Sequence, residues 1–455
     1  MAYKSYNPYT GELIKEYPYI SDAGLKSALD KSHKSFLSWK DSSLETRIKL
    51  LLELAAIFEE EAEEHAGIIT MEMAKPIKQA LAEVRKSALA CRYYAEETKR
   101  ILKPQVIKGS TGSSRLVFQP QGTVFAIMPW NYPYWQVIRC LAPALASGNS
   151  IILKHASNVP ASALKIEDAV LRAGFPRGLF QNLFLTHAQV EDVISSPVVR
   201  TISLTGSNIA GEKIAAKAGS VTKSCVLELG GSDPFIVFED ADTDRAARAA
   251  ITGRFQNNGQ SCIATKRIYL HDSIYDKFMD TFKELVRNLK SGDPTDLETD
   301  IGPLVNVAAA KEIKRQLNDS IKMGARITEG NLDSKLGEGF IEPIIVENVP
   351  DNCPLATEEV FGPVIPVFSF SNYDDMISRV NSSIFGLGSS VWTQNKDFIE
   401  KVTMDIDAGM LAVNGFTRSD PALPFGGVKS SGYGRELSDN GMMEFLNIKT
   451  ISVYD

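Results

Sequence analysis

Cysteine and histidine are both scarce in this chain, five of each among 455 residues, and their scatter excludes more than their number does. Cys91, Cys140, Cys225, Cys262 and Cys353 form no CxxC pair and no cluster with histidine. Neither a disulfide framework nor a structural metal is expected. An excess of positive charge is missing as well: 49 lysines and arginines stand against 56 acidic residues, a net charge of −7. That balance disfavours a general binder of nucleic-acid backbone or of an anionic membrane. No long apolar run is present either, because the most apolar stretch, Ile127 to Leu153, is broken by Asn131, Arg139, Gly148 and Asn149. The amino terminus, MAYKSYNPYTGELI, has no apolar signal core. A cytoplasmic protein with no membrane or nucleic-acid partner is the expectation. Ser/Gly linkers, low-complexity tracts and fixed-period repeats are absent too, so domain edges follow from element texture alone.

What is present is a hydrophobic content of 44% spread over a length that exceeds one ordinary core, so two or three packed domains are expected. Early in the chain, LETRIKLLLELAAIFEEEAEEHAGII repeats apolar residues at three and four, the period of amphipathic helices. After Pro104 the texture changes. SRLVFQPQGTVFAIMPW, PYWQVIRCLAPALASG and NSIILKHAS read as strand, helix and strand, and the alternation continues through ASALKIEDAVLRAG, VVRTISLTG, SNIAGEKIAAKAG, CVLELGG and DPFIVF. Such alternation produces a parallel, doubly wound sheet of the dinucleotide-binding kind. From Asp240 a second α/β series runs through RIYLHD, a long helix near Tyr275 to Lys290, the turn-rich GDPTDLETDIGPL and GMLAVNG, and the closing KTISVYD reads as one strand.

Four residues stand out as chemistry carriers: Asn131, Glu228, Cys262 and Glu359. Cys262 lies in FQNNGQSCIAT, where asparagine and glycine favour a loop and surround the thiol with polar residues. The other four cysteines read as small buried hydrophobes. Glu228 ends the apolar strand VLELGG. Buried there, its carboxyl would be raised toward general-base range; turned outward, it would be an ordinary solvated glutamate, and composition does not choose.

The motifs MPWNYP (128–133), LTGS (204–207), LELGG (227–231), NNGQSC (257–262), EEVFGP (358–363) and PFGG (424–427) occur in order across nearly the whole chain. In this set the chain resembles the aldehyde dehydrogenase superfamily. The resemblance implies a Rossmann-like cofactor domain (1–107 and 121–228), a second α/β catalytic domain (229–430) and a small β oligomerisation arm (108–120 and 445–455). A homodimer or a dimer-built tetramer is expected from that arm. It also implies that Cys262 attacks the aldehyde, that the Asn131 amide and the Cys262 N–H hold the oxyanion, and that Glu228 activates the water that releases the acid. For the cofactor it implies Gly206 and Ser207 at a strand-to-helix turn, Glu359 on the nicotinamide ribose, and the Trp130 and Leu229 backbones. The turn itself lacks a complete GxGxxG fingerprint, and glutamate, tryptophan and leucine there also read as surface charge and core packing. KHAS (154–157) departs from the commoner pattern by placing Ser157 where NAD-preferring members carry a glutamate. With Lys154 nearby, NADP is the expected preference, NAD the tolerated alternative.

Trp135 and Arg139 lie four residues apart on one predicted helix downstream of Asn131. Arg139 either faces solvent, where its charge says nothing, or faces the aldehyde tunnel, where its fork could hold a substrate carboxylate. Ser419 could add a hydroxyl at the same mouth, with Arg418 beside it. The wider set, MPWNYPYWQVIR, ELGGSDPF and KHASN, is similar to bacterial NADP-preferring succinate-semialdehyde dehydrogenases, which favours the second placement. Two alternatives stay open: a broad dehydrogenase of short or aromatic aldehydes, and a catalytically silent protein of the same fold.

Overall fold

The computed structural model describes residues 2–108 and 113–454; within the expected arm, residues 109–112 and 455 lie outside the described residues. The chain begins as a hairpin, β1 (Ala2–Tyr6) against β2 (Leu13–Pro18), which the helical texture of the first hundred residues did not announce. Its strands bury only Tyr3, Ser5 and Tyr17, too few positions for a legible two-residue period. Four helices follow: α1 (Asp22–Trp39), α2 (Leu44–Glu60), α3 (Ala62–Met73) and α4 (Ile77–Ile101). Ser21 and Ser43 cap the first two by accepting the Gly24 and Thr46 N–H groups.

β3 (Gln105–Lys108) and β4 (Ser113–Pro120) enter a three-stranded antiparallel sheet with the chain's last strand, β20 (Leu446–Val453). That sheet therefore starts at Gln105, three residues before the expected edge at 108. The doubly wound sheet comes next: β5 (Thr123–Met128), α5 (Trp135–Ala146), β6 (Ser150–His155), α6 (Pro160–Arg172), β7 (Phe180–Asn182), α7 (His187–Ser195), β8 (Val199–Thr205), α8 (Asn208–Ser220) and β9 (Ser224–Glu228). Its parallel strands lie in the order β9-β8-β5-β6-β7. The chain leaves β5 toward β6 on one side and returns to β8 on the other. Between the carboxyl ends of β5 and β8 lies the switch point where open α/β sheets bind ligands. All twelve residues of α5 are buried, against α2 and α4 on one side and β5 and β6 on the other. A charged residue on this helix therefore has to find its partner inside the protein.

A second sheet contains β10 (Asp233–Val237), β11 (Thr265–His271), β12 (Arg326–Glu329), β13 (Ile344–Glu347), β14 (Val364–Phe370), β16 (Ser390–Trp392) and β17 (Ala412–Val413), in the order β12-β13-β14-β11-β10-β16-β17. Only β12 runs antiparallel to its neighbour. The helices α9 (Thr243–Phe255), α10 (Tyr275–Arg287) and α11 (Val307–Lys322) cover it, with separate apolar cores on its two faces. β15 (Phe385–Gly386) pairs with β18 (Val428–Lys429) in a two-residue ladder. The chain then crosses back, and β19 (Gly432–Tyr433) adds antiparallel to β9 beside Glu228. No helix among the described residues is long and apolar enough to cross a membrane.

Candidate active site

Cys262 sits on the loop between α9 and β11, and the polar residues that flagged that loop are themselves buried. Asn257 and Asn258 adopt left-handed backbone (φ 55° and 58°), a conformation asparagine tolerates better than most residues. Their amides anchor the turn: Asn257 donates to the Asn131 carbonyl at 2.7 Å, and Asn258 to the carbonyls of Ala74 and Pro303 at 3.1 and 2.9 Å. Gly259 combines a φ of 74° with an approach in which a Cβ would stand 2.5 Å from the Gly362 backbone. No other residue fits there, and the contact locks the cysteine loop to the EEVFGP segment. Burial pushes the Cys262 thiol up to about 11, Lys266 and Arg139 pull it down, and Glu359 and Asp233 oppose them.

Two cavities meet at Cys262. One, of about 240 Å³, lies at the switch point and is lined by Trp130, Asn131, Thr205, Gly206, Ser207, Leu229, Gly230, Glu359 and Phe361 along with the cysteine. The structure thus brings together Asn131 and five of the seven residues expected at the cofactor. The Asn131 amide nitrogen donates to the Gln260 carbonyl at 3.0 Å, and its oxygen accepts from Gln136 at 3.1 Å. That fixes the amide plane and leaves its second N–H uncommitted. The Gly206 N–H is not free: it donates to the Glu228 carbonyl at 3.0 Å. Anion binding at this turn falls to the first turn of α8 and to Ser207, its cap. Glu359 accepts from the Gly231 N–H at 3.1 Å and pairs with Lys266, whose ammonium also donates to the Gly231 and Cys262 carbonyls at 2.7 and 2.8 Å.

Lys154 and Ser157 do not line this cavity. They lie at the end of the neighbouring β6 and just beyond it, Lys154 half-buried and Ser157 exposed. Burial lowers the Lys154 ammonium, no carboxylate pairs with it among the described residues, and it lies 5.8 Å from the Tyr3 ring centroid. A half-buried cation without an anion, two strand ends from a glycine turn, fits a phosphorylated adenosine ribose.

The second cavity, of about 270 Å³, opens on the other side of Cys262. α4 contributes Lys78, Gln79, Ala82, Glu83 and Lys86 from one face, α5 contributes Trp135, Gln136 and Arg139, and Arg418, Ser419 and Phe425 close the far wall. Arg139 is only 2% exposed, so the solvent-facing alternative falls. It also has a partner: its guanidinium pairs with the buried Glu436, donates to the Thr205 hydroxyl at 3.2 Å and lies 4.5 Å from the Phe425 ring. Glu83 takes the charge of Lys75 in a buried ion pair and accepts the Tyr134 and Trp135 N–H groups at 2.9 and 3.0 Å. The start of α5 is thereby tied to α4.

Glu228 is buried, so its outward-facing alternative also falls, yet it lines neither cavity. Neither carboxyl oxygen has a hydrogen-bond partner among the described residues. Burial and the neighbouring Glu436 hold it well above the usual carboxylate range, while Arg139 and Arg435 pull the other way. Three participants escaped sequence reasoning. Lys86, on the amphipathic α4, and Glu436, near the end of the chain, carry no local signal that sets them apart from solvated charges. Lys266 left a usable signal, since a lysine opening the apolar strand TKRIYLH needs a buried partner. Cys91, Cys140 and Cys353 are buried and Cys225 half-buried, and all five thiols are free.

Comparison with known proteins extends these observations to the whole chain. The aldehyde dehydrogenase family model matches residues 1–451. A succinate-semialdehyde dehydrogenase (NADP+) of Mycobacterium avium (strain 104) is 44% identical over 455 residues, which is 99% of this chain and 96% of that protein. A second one, from Mycobacterium tuberculosis (strain H37Rv), is 43% identical over 454 residues, 99% of each chain. The crystal structure of succinic semialdehyde dehydrogenase from Streptococcus pyogenes, in complex with NADP+, superposes with a TM-score of 0.97 at 34% identity and full coverage of both chains. With the family model matched nearly end to end and the fold reproduced in full, the chain belongs to the aldehyde dehydrogenase family.

Proposed function

We propose that the chain oxidises succinate semialdehyde to succinate with NADP, using Cys262 as the covalent nucleophile. The observation that carries this reading is that Cys262 lies in the walls of two cavities at once, one at the switch point and one rich in cations. The Cys262 thiolate attacks the aldehyde carbon, and the carbonyl pair moves to oxygen. The second Asn131 N–H and the Cys262 N–H receive that oxyanion. Trp130, Gly206, Ser207, Leu229 and Glu359 would hold NADP, Lys154 and Ser157 would suit its 2′-phosphate, and the bound cofactor would supply the acceptor for the hydride that leaves the thiohemiacetal carbon. The Cys262 thioester that remains is hydrolysed by water. Glu228 reaches that water by a side-chain rotation out of its enclosed position, takes the proton, and the thiol is restored. Trp135, Arg139 and Ser419 shape the distal end for a carboxylate, a reading supported by the relatives that are succinate-semialdehyde dehydrogenases.

The experiment is initial-rate NADPH and NADH formation by the purified chain with succinate semialdehyde and with butanal, its uncharged counterpart. Preference for NADP and for the charged substrate, by about tenfold or more in kcat/KM, is expected. Equal use of butanal would discard the substrate and keep the dehydrogenase. The domain roles follow the sheets: the doubly wound one for the cofactor, the second for catalysis. The outer strands of the three-stranded sheet expose Val106, Ile107, Ile448 and Val453, which suits contact with a second copy in the cytoplasm. A monomeric mass by sedimentation would refute that assembly.

A further inference from the structure

Lys266 is the second residue of β11, and an irregularity in the sheet places it. β10 and β11 pair in parallel, Asp233 with Thr265 and Pro234 with Arg267, so the register slips and Lys266 has no counterpart on β10. A bulge of this kind re-aims the side chain of its extra residue. Here it directs a fully buried ammonium to three acceptors on three separate segments. They are the Gly231 carbonyl after β9 at 2.7 Å, the Cys262 carbonyl at 2.8 Å, and the Glu359 carboxylate. An ammonium has three donors, so none is left over. A lysine needed only to fill space could give way to an apolar side chain of similar volume at no loss of stability. This one instead joins the cysteine loop, the turn that follows Glu228 and the EEVFGP segment.

We propose that Lys266 is a positioning residue with two tasks: its ammonium anchors one oxygen of Glu359 so that the other faces the diol of the nicotinamide ribose, and its charge stands behind the Cys262 thiol. The first task rests on the reading that Glu359 holds that ribose. Glu359 Oε1 accepts from Lys266 and, at 3.1 Å, from the Gly231 N–H. Oε2 lies beside Gly230, where a Cβ would stand 2.5 Å from it, and both residues line the switch-point cavity. Two donors on one oxygen fix the carboxylate plane. The second oxygen then meets a hydroxyl without the side chain having to be ordered at the moment of binding. The Phe361 ring, 5.5 Å from the ammonium, belongs to the same cavity wall.

The second task follows from where the charge sits. Burial is the main cause that raises the Cys262 thiol; Lys266 leads the opposing pull, ahead of Arg139, while Glu359 and Asp233 act with burial. Arg139 approaches from α5 and has Glu436 as its partner. Lys266 approaches from β11 and is hydrogen-bonded to the cysteine's own carbonyl. One ammonium is therefore shared between two anions, the Glu359 carboxylate and the Cys262 thiolate when it forms. Removing the charge of Lys266 should disfavour the thiolate, and removing the charge of Glu359 should favour it. Opposite effects on one thiol are a signature that loss of packing does not produce.

The test compares full-length wild type with Lys266→Met, Lys266→Gln and Glu359→Gln. Alkylation of Cys262 by iodoacetamide at about pH 8, followed by the mass of its peptide, reports the thiolate fraction. Equilibrium binding of NADPH and of 2′,5′-ADP, which lacks the nicotinamide ribose, separates the two ends of the cofactor site. Alkylation is expected to slow by about tenfold in both Lys266 variants and to quicken by about threefold or more in Glu359→Gln. NADPH binding should weaken by about tenfold in Lys266→Met and in Glu359→Gln, with 2′,5′-ADP bound as by wild type. Retained 2′,5′-ADP binding also shows that a variant is folded. Lys266→Gln keeps two neutral donors for the carbonyls, and it carries the test should the methionine variant misfold. Alkylation unchanged in the Lys266 variants, or moved in the same direction in all three, overturns the proposal. So does NADPH binding that fails in Glu359→Gln and survives in both Lys266 variants. If NADPH binding survives in Glu359→Gln as well, the placement of Glu359 at the ribose falls, and opposed alkylation rates uphold the role of the Lys266 charge at the thiol.

Discussion

The two cavities that share Cys262 are constructed on different principles. The one at the switch point is made mostly of short contiguous turns, 129–131, 205–207 and 229–230, at strand ends, with Cys262, Glu359 and Phe361 closing it. Its geometry is local: a parallel strand, a tight turn and a helix start suffice. The other is walled by long side chains of α4 and α5 and by loops far along the chain, and its key contact, Lys86 to Ser419, joins residues 333 apart. There, the meaning of each cation depends on which carboxylate packing delivers to it. Arg139 and Lys86 lie in one cavity with different partners, Glu436 for the first and a hydroxyl for the second.

Glu228, behind both cavities and in neither wall, offers the largest break in this comparison. Glu228→Gln should lower steady-state turnover by about 100- to 10,000-fold while a burst of NADPH equal to the enzyme concentration survives, because hydride leaves before the base is needed. A lost burst would place Glu228 in the first chemical step instead. The same variant carries a stability signature. A carboxyl whose folded pKa is raised contributes stability below its unfolded value near 4.5 and loses it as pH rises through the folded value. Melting temperatures of variant and wild type should therefore coincide in acid and diverge in favour of the variant as pH rises above the unfolded value. A variant that is less stable than wild type at alkaline pH would contradict the enclosed, unpartnered carboxyl.

A smaller effect is expected on the cofactor side. Lys154→Met should reduce kcat/KM for NADP by about tenfold and leave that for NAD within about twofold. Ser157→Glu, which puts a carboxylate beside the lysine, should shift preference in the same direction. Both changes should leave the semialdehyde-to-butanal ratio alone, since neither residue lines the substrate cavity. A coupled change in that ratio would mean that the two cavities are not independent.

The loop that carries Cys262 was legible because its residues lie in one contiguous motif whose conformation is set by neighbours. FQNNGQSC needs two left-handed asparagines and a glycine at one approach point, and all are adjacent in the chain. Arg139 was half legible: its place on a buried helix demanded a partner, but nothing nearby in sequence named Glu436, which is supplied by the segment returning beside β9. The hairpin of β1 and β2 and the three-residue β7 were too short to show a period. Lys86 was invisible, because a lysine on an amphipathic helix reads as solvated until Trp135 and the distant Ser419 pack against it.

The sequence by itself determined the alternation of strand and helix, the loop that carries Cys262, and the strand-end turns that suit a dinucleotide, because each is fixed within a dozen residues by backbone sterics and apolar period. Tertiary structure alone decided that Glu228 is sealed away with Glu436, that Arg139 pairs with Glu436, and that Lys86 forms no ion pair among the described residues. These are statements about charge compensation, and compensation depends on distances across the fold that no local pattern encodes.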